Sequence, residues 1–391
     1  MKRTFPGLDA VRALGATAVL ATHAAFQTGR YTHGPLGNSL ARLDIGVALF
    51  FVLSGFLLFR PYAHAAVLDR SRWPRTGTYL TKRALRILPA YWLTVVACLL
   101  LLPDNEGRRG LWVWVQHLTL TRVYAGGPLQ FGLTQMWSLC TEVAFYLALP
   151  ALAYLVLGRR GTATGRRPVA ALLLVALTSI GWQVLVTRTT LLDGRAANDW
   201  LPGFLDWFGA GMALALVQVR LASGTATPWM RVLGDLARST GTCWATSLTL
   251  FALATSPLAG PILLNVAPTT WEAITKNVLY GLCSALLVLP LVLGSQEEGA
   301  AALLGARPLR LLGEVSYGIF LWHLLVLQAV VSTLGQADFH GSWVMTFSLT
   351  WLASVAVAAV SYVVVERPAL RLKDRAARAP QTADSATTQS I

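Results

Sequence analysis

Ten long apolar runs follow one another along the chain, and this succession constrains the fold more than any other feature of the sequence. The runs lie near residues 8–27, 44–62, 87–103, 131–157, 169–186, 201–219, 239–256, 274–294, 311–332 and 343–365. A run of about 20 apolar residues crosses a bilayer as a helix, because a helix satisfies its backbone hydrogen bonds without water. Only 13% of the residues are charged, against roughly 25% in soluble domains. The sequence therefore predicts an all-α fold, a polytopic transmembrane helix bundle of about ten spans.

The basic residues fall in short clusters between the apolar runs. The formal net charge of +14 could indicate nucleic-acid binding, yet no folded soluble module remains to bind it. Most of the 32 Lys and Arg residues lie in alternate connecting segments, a distribution typical of cytoplasmic loops. We therefore predict a multi-pass protein of the cell (cytoplasmic) membrane with both termini in the cytoplasm, and no nucleic acid among its partners.

The two ends of the chain differ in composition from the bundle. Met1-Lys2-Arg3 precedes an apolar stretch as in a signal peptide, but Asp9 and Arg12 interrupt that stretch, so we expect a retained first helix. Residues 376–391 are polar and predict a disordered cytoplasmic tail. Residues 1–375 are predicted to form a single transmembrane domain without internal repeats.

One short apolar segment and the cysteines are interpreted as structural. The segment 111–124 is too short and polar to span comfortably, so we expect an interfacial helix with Trp112 and Trp114 near the headgroups. If it spanned instead, every later loop would change sides. The cysteines lie singly inside apolar runs, which is typical of packing residues rather than of disulfides or metal ligands; they are Cys98, Cys140, Cys243 and Cys283. No metal site is predicted.

The first span carries polar residues on one face. The 11-residue step from Arg12 to His23 returns to nearly the same side of a helix, about 16.5 Å further along the axis. A charge at the bilayer centre costs at least about 2.5–3.5 kcal/mol, so such residues usually face a cavity or a partner. Asp9 and Arg12 could simply form an ion pair at the cytoplasmic border, and His23 could be a packing residue. We favour a functional His23, because imidazole can accept a proton near neutral pH.

Two carboxylates mark the second and fourth spans. Asp44 could bind substrate or merely end its helix, and the small residues that follow it, Gly46, Ala48, Ser54 and Gly55, permit close helix contact. Glu142 lies deep in an apolar run, where a carboxylate requires a cation, a hydrogen-bond donor or water. We expect Glu142 to shape a functional site.

A pair of arginines precedes the third apolar run. Arg83 and Arg86 are i, i+3 neighbours on a helix, so both guanidinium groups can reach one anionic ligand. The alternative is an anchor that touches lipid phosphates at the cytoplasmic border.

The ninth and tenth spans complete the set of candidates. Ser316 and His323 are seven residues apart and share a helix face. They could bind substrate or simply form hydrogen bonds between helices. Glu366 at the end of the tenth span could pair with a nearby arginine, and Pro368 is expected to stop the helix.

Taken together, these segments resemble the acyltransferase 3 family of integral membrane acyltransferases, which includes O-acetylases of envelope polysaccharides and acylating enzymes of antibiotic tailoring. The resemblance covers most of residues 5–370. It rests on ordered motifs: LDAVRALGATAVLATH, DIGVALFFVLSGFLL, KRALRILPAYW, MWSLCTEVAFYLALP, SYGIFLWH and VERP.

The resemblance implies a role for particular residues. It matches His23 to the catalytic histidine and Arg12 to its companion arginine, and it assigns Arg83 and Arg86 to the phosphates of acyl-CoA. Where many relatives carry paired acidic residues, this chain has only Glu142. No fused hydrolase-like domain is present in the sequence, so we expect the chain to act alone or to hand its acyl group to a partner.

We therefore predict an enzyme, an acyltransferase that moves an acyl group, commonly acetyl, from acyl-CoA to a hydroxyl of a carbohydrate, glycolipid or secondary metabolite. Acyl-CoA is a co-substrate and no cofactor is bound permanently. His23 removes the hydroxyl proton, or forms an acyl-histidine relay, assisted by Arg12 and Glu142. The remaining candidates bind substrate: Arg83, Arg86, Asp44, Ser316, Tyr317 and His323. A proton-coupled secondary transporter or lipid flippase is the alternative, since buried charges also mark such pathways.

Overall fold

The computed structural model describes residues 5–107, 110–158, 166–189, 197–263, 266–295 and 299–372. Within these ranges the chain is helical and contains no β-strand, which confirms the all-α prediction. The predicted tail, residues 376–391, lies outside the described residues.

Fourteen α-helices are present in the described ranges. In chain order they are α1 (Gly7–Gln27), α2 (Gly34–Ala41), α3 (Gly46–Val67), α4 (Thr76–Leu101), α5 (Leu111–Leu118), α6 (Met136–Leu157), α7 (Arg167–Arg188), α8 (Leu205–Ala222), α9 (Pro228–Arg238), α10 (Thr240–Ala254), α11 (Thr270–Leu293), α12 (Gly299–Leu304), α13 (Arg307–Thr333) and α14 (Trp343–Ser361).

Eight helical segments of the described chain are long and apolar enough to cross a membrane, which confirms a polytopic membrane protein. They contain α3, α4, α6, α7, α8, α11, α13 and α14. Two predicted spans are not among them. The helix α1 has 21 residues, a sufficient length, but it carries Asp9, Arg12 and His23. The helix α10 has only 15 residues. The total of ten spans and the cytoplasmic side of the termini therefore stay predictions.

The segment expected at the membrane interface contains only a short helix. The helix α5 has eight residues, which corresponds to a length of about 12 Å and is too short to cross a bilayer. The side chain of Trp112 is 70% exposed. Both features fit an interfacial position.

Glycines bring the central helices into close contact. A Cβ atom at Gly55 of α3 would overlap the backbone of Phe208 in α8, and one at Gly211 of α8 would overlap the carbonyl of Val52. The ring of Phe51 stacks on that of Phe208, with centroids 4.4 Å apart. Small residues allow membrane helices to approach closely enough for such packing. The expected role of Gly55 in close helix contact is thus confirmed.

Two helix boundaries differ from the sequence predictions. The helix α4 begins at Thr76, ahead of the apolar run near 87–103, and contains Arg83 and Arg86, in agreement with their predicted place on a helix. Their side chains face a cavity, which lets polar residues continue the helix inside the bundle. The prediction that Pro368 stops the last helix is wrong, since the helical segment runs to Leu372. A π-helical turn at Tyr362–Glu366 precedes the proline and shifts the backbone hydrogen bonds there.

Candidate functional site

A cavity of about 140 Å³ lies between α1, α3, α4, α6 and α13. We call it the arginine cavity. Its polar lining consists of Arg12, Ser54, Arg83, Arg86, Ser138, Glu142, Tyr146, Ser316 and Tyr317. Six of the predicted site residues, from four different helices, therefore meet at one place: Arg12, Arg83, Arg86, Glu142, Ser316 and Tyr317.

The lining of the arginine cavity carries more positive than negative charge. Three arginines face it, and Glu142 is the one acidic residue among the lining residues described. Arg12 pairs with Asp9 at 2.6 Å, and Arg86 lies 3.8 Å from the Glu366 carboxylate. The Nε atom of Arg83 is buried and finds no hydrogen-bond partner in the described part of the chain. The cavity is therefore suited to an anionic ligand.

Glu142 finds the hydrogen-bond donors that its burial requires. Its carboxylate accepts hydrogen bonds from the hydroxyl of Ser54 and, at 2.7 Å, from that of Tyr146. The positive charges of Arg12 and Arg83 lie close enough to attract it. Neither hydrogen bond is to His23, so Glu142 is placed to order the arginine cavity rather than to hold the histidine ring directly.

The hydroxyls of two other predicted residues of the cavity, Ser316 and Tyr317, donate hydrogen bonds to backbone carbonyls. The hydroxyl of Ser316 donates to the Gly313 carbonyl of its own helix at 2.7 Å. The hydroxyl of Tyr317 donates to the Ile87 carbonyl of α4 at 2.9 Å. The Arg86 guanidinium lies 5.9 Å from the centre of the Tyr317 ring. Tyr317 thus joins α13 to α4 beside the arginine pair.

The two intramembrane histidines face each other. The ring centres of His23 on α1 and His323 on α13 are 5.2 Å apart, with the planes inclined by 40°. Nδ1 of His323 lies 2.7 Å from the Phe320 carbonyl, and because a carbonyl only accepts, this nitrogen carries the hydrogen. Nε2 of His323 then holds a lone pair; it is buried and without a hydrogen-bond partner among the described residues. The pair thus presents a proton acceptor inside the bundle.

One aromatic side chain connects the histidine pair to the arginine cavity. Phe320 lines the cavity, and its ring centre lies 6.0 Å from that of His323. His23 and His323 themselves are not in the cavity lining. His323 therefore lies behind the Phe320 side chain, and His23 lies next to His323.

Asp44 lies in a different place from the other carboxylates. It accepts a hydrogen bond from Lys276 at 2.8 Å and one from the Tyr280 hydroxyl. It lines a second cavity of about 540 Å³, which we call the Asp44 cavity. Val47, at the start of α3, lines both cavities. The hydroxyl of Thr22, next to His23 in the chain, donates to the Ala41 carbonyl at 3.1 Å, so the segment before Asp44 packs beside His23.

Residues 5–366 match the family model described as "Acyltransferase domain". The chain belongs to this acyltransferase family. The resemblance noted from the ordered motifs is thereby confirmed, and the protein is an acyltransferase enzyme.

Several known proteins are similar to this acyltransferase over most of its length. Nodulation protein 10 of Rhizobium leguminosarum bv. viciae is 26% identical over 84% of this chain and 82% of its own length. Exopolysaccharide production protein ExoZ of Rhizobium meliloti is 26% identical over 89% of this chain and 94% of its own. Putative peptidoglycan O-acetyltransferase YrhL of Bacillus subtilis is also 26% identical, over 94% of this chain and 55% of its own length. No solved structure matches the chain.

Some contacts around the two cavities cannot be predicted from the sequence. Lys276 and Tyr280 were not assigned to Asp44, from which they are separated by 232 and 236 residues. Phe320 resembled any other apolar residue of its span. Lys276 lies within an apolar helix, and a charge in that position usually has a partner, so its type and place indicate a contact without identifying Asp44.

Proposed function

We propose that this acyltransferase transfers a short acyl group, in the first instance acetyl, from acyl-CoA to a hydroxyl group of a carbohydrate-containing acceptor. The observation that carries the proposal is the arginine cavity beside a pair of histidines. The names of relatives support the acceptor class: one is described as a putative peptidoglycan O-acetyltransferase, and another takes part in exopolysaccharide production.

We assign the acyl-CoA donor to the arginine cavity because its negative phosphates match the positive guanidinium groups there. Acyl-CoA is polyanionic, and guanidinium groups bind phosphate through paired, charge-assisted hydrogen bonds. Arg83 and Arg86 lie one helical turn apart and face the same space. The cavity volume of about 140 Å³ is below the usual range of ligand pockets, roughly 300–1,000 Å³. The whole donor therefore does not fit into the cavity. Its phosphates are assigned to Arg83 and Arg86, and its thioester end extends from there between the helices toward His23.

The chemistry is assigned to the histidine pair. A neutral imidazole of His23 accepts the proton of the acceptor hydroxyl while that oxygen bonds to the thioester carbon. The carbon–sulfur bond then breaks, the sulfur of CoA takes up the proton, and His23 returns to its neutral form. Such general-base assistance contributes about 10²–10⁴ in rate. Phe320 must move aside or turn for the thioester to reach the ring, because it forms the wall between them.

A proton-coupled transporter or lipid flippase remains the rival explanation of the buried charges. The relatives named as acetyltransferases speak against it. We further propose that the protein lies in the cytoplasmic membrane with the arginine cavity reached from the cytoplasm, in agreement with the distribution of basic residues.

Thermal stability of the purified chain with acetyl-CoA tests the donor assignment. A ligand that binds the folded state raises the unfolding midpoint. We expect acetyl-CoA to stabilise the wild type, and the double variant Arg83→Gln, Arg86→Gln to bind about tenfold or more weakly, because two charged hydrogen bonds are lost. Arg310→Gln, which changes an exposed arginine of α13, is the matched control. Equal stabilisation of the double variant and the wild type would remove the arginine pair from donor binding.

A further inference from the structure

The Asp44 cavity has no role in the donor binding described above. It lies between α3, α6, α7, α8 and α11, at the end of the bundle where α1 finishes and α11 begins. Six of its lining residues carry the argument: Asp44, Trp137, Asp199, Trp207, Lys276 and Asn277. Its volume of about 540 Å³ is within the usual range for small-molecule sites.

The charges of this lining nearly cancel. Lys276 and Asp44 form an ion pair at 2.8 Å. Burial raises the pKa of Asp199 to about 7, so that this carboxyl is not fully charged at neutral pH. Lys276, the one cation of the described lining, has a carboxylate partner. The described lining of the arginine cavity has three arginines and one carboxylate. An anionic ligand would therefore find little to bind here.

The remaining lining combines hydrogen-bonding groups with aromatic side chains. The Asp44–Lys276 pair supplies donors and acceptors, and the half-buried Trp137 supplies an aromatic surface. Asn277 and Trp207 line the cavity with small exposed areas, and the Asn277 amide donates to Asp206 at 2.7 Å. The side chains of Asp44 and Lys276 are 38% and 34% exposed, so both still reach the open space of the cavity. A ligand with many hydroxyl groups and an apolar C–H face, such as a pyranose sugar, matches this combination.

The segment that carries Asp44 packs against α1 beside His23. The hydroxyl of Thr22, the neighbour of His23 in the chain, donates to the Ala41 carbonyl at 3.1 Å. Val47 lines both cavities, and the neighbours Trp137 and Ser138 line one cavity each. The first turns of α3 and α6 thus separate the two cavities near the histidines.

We propose that the Asp44 cavity binds the acceptor as an uncharged pyranose unit, with Asp44 and Lys276 hydrogen-bonded to its hydroxyl groups and one hydroxyl directed toward His23. The inference rests on the proposed function for the use made of that hydroxyl. The binding of the sugar is independent of it and is measured without acyl-CoA.

The test uses the full chain in lipid nanodiscs, because alkyl glycoside detergents would compete for a sugar site. Saturation-transfer NMR titrations compare cellobiose, a neutral disaccharide, with glucuronic acid, an anionic sugar. We expect cellobiose to bind more tightly than glucuronic acid. Asp44→Asn and Lys276→Gln should each weaken cellobiose binding about tenfold or more, because each removes a charged hydrogen-bonding group.

Asp338→Asn is the matched control, since Asp338 lies in the exposed loop after α13 and hydrogen-bonds Gln27 at the same end of the bundle. It should leave cellobiose binding unchanged. Tighter binding of glucuronic acid, no binding of cellobiose, or equal losses in Asp44→Asn and Asp338→Asn would each overturn the inference.

The acetyl-CoA experiment keeps the two proposals apart. Loss of cellobiose binding in Asp44→Asn together with no stabilisation by acetyl-CoA would retain the sugar site and reject the acyltransfer scheme. Unchanged cellobiose binding in Asp44→Asn together with stabilisation of the wild type by acetyl-CoA would reject the sugar site and retain the donor assignment.

Discussion

At the scale of single residues, several of the charged or titratable side chains inside this bundle have a hydrogen-bonding or ionic partner. Asp44 holds Lys276, Glu142 accepts from Ser54 and Tyr146, and His323 is fixed through its Nδ1 hydrogen. A buried charge is tolerated only with such compensation. Three arginines line the arginine cavity, where the phosphates of the proposed donor would bind them.

Changing Glu142 tests this account of charge. Glu142→Gln keeps an acceptor oxygen for Ser54 and Tyr146 but removes the one acidic group among the described lining residues. We expect the ligand-free protein to lose about 1–3 kcal/mol of stability, because the described lining then keeps three arginines and no carboxylate to attract them. Stabilisation by acetyl-CoA should become larger than in the wild type. Thermal unfolding of Glu142→Gln and of the exposed-loop control Glu106→Gln measures both effects. Unchanged stability and an unchanged ligand shift would contradict the charge argument.

At the scale of helices, the contact between α3 and α8 positions Ser54 against Glu142. Gly55 follows Ser54 directly and allows the backbone of Phe208 to approach. The stacked rings of Phe145 and Phe208, with centres 4.0 Å apart, join α6 to the same contact. The shape of the arginine cavity therefore depends on a glycine that does not line it.

A methyl group at Gly55 should disturb this packing. Gly55→Ala forces α3 away from α8 and should destabilise the protein by about 1–3 kcal/mol, as overpacking does in other cores. Gly181→Ala is the control, because Gly181 lies in the helix α7 and its added Cβ would meet no atom within 4 Å. Unfolding midpoints of the two variants should differ clearly. Equal midpoints would show that α3 and α8 separate at little cost.

Much of the helical architecture could be predicted from the apolar runs, since each run appears as a helix. The start of α4 at Thr76 could not be predicted from its apolar run, because Arg83 and Arg86 are typical of a cytoplasmic border. Only the structure shows that they face a cavity. The continuation past Pro368 could not either, because a π-helical turn has no clear sequence signal. Within the site, the arginine pair, Glu142 and His23 could be proposed from residue type. Their long-range partners, such as Lys276 for Asp44, depend on the tertiary fold.

At the scale of the whole molecule, two cavities of different charge lie near one pair of histidines. The arginine cavity suits a polyanionic donor, and the Asp44 cavity suits an uncharged acceptor. Val47 lines both, so the two substrates would bind in adjacent cavities. The arrangement would let a cytoplasmic donor serve an acceptor at the opposite face of the membrane.

The predicted orientation can be measured with a membrane-impermeant maleimide. Single cysteines introduced as Asp104→Cys and His340→Cys should be labelled on intact cells, because their loops are expected outside. Arg75→Cys and Arg310→Cys should be labelled only after the cells are opened. The four native cysteines are buried, so the unmodified chain is the background control. The reverse labelling pattern would place the arginine cavity on the outer side and remove access for cytoplasmic acyl-CoA.

Transfer of label from acetyl-CoA in native membrane vesicles tests the central claim most directly. Vesicles from cells carrying either the wild-type chain or His23→Ala at equal abundance are given acetyl-labelled acetyl-CoA, and base-labile acetyl esters on endogenous acceptors are counted. We predict ester formation with the wild type and a loss of at least about 10²–10⁴ in rate with His23→Ala, while the exposed-residue control His340→Ala remains active. Ester formation by His23→Ala at the wild-type rate would contradict the claim that this histidine performs the transfer.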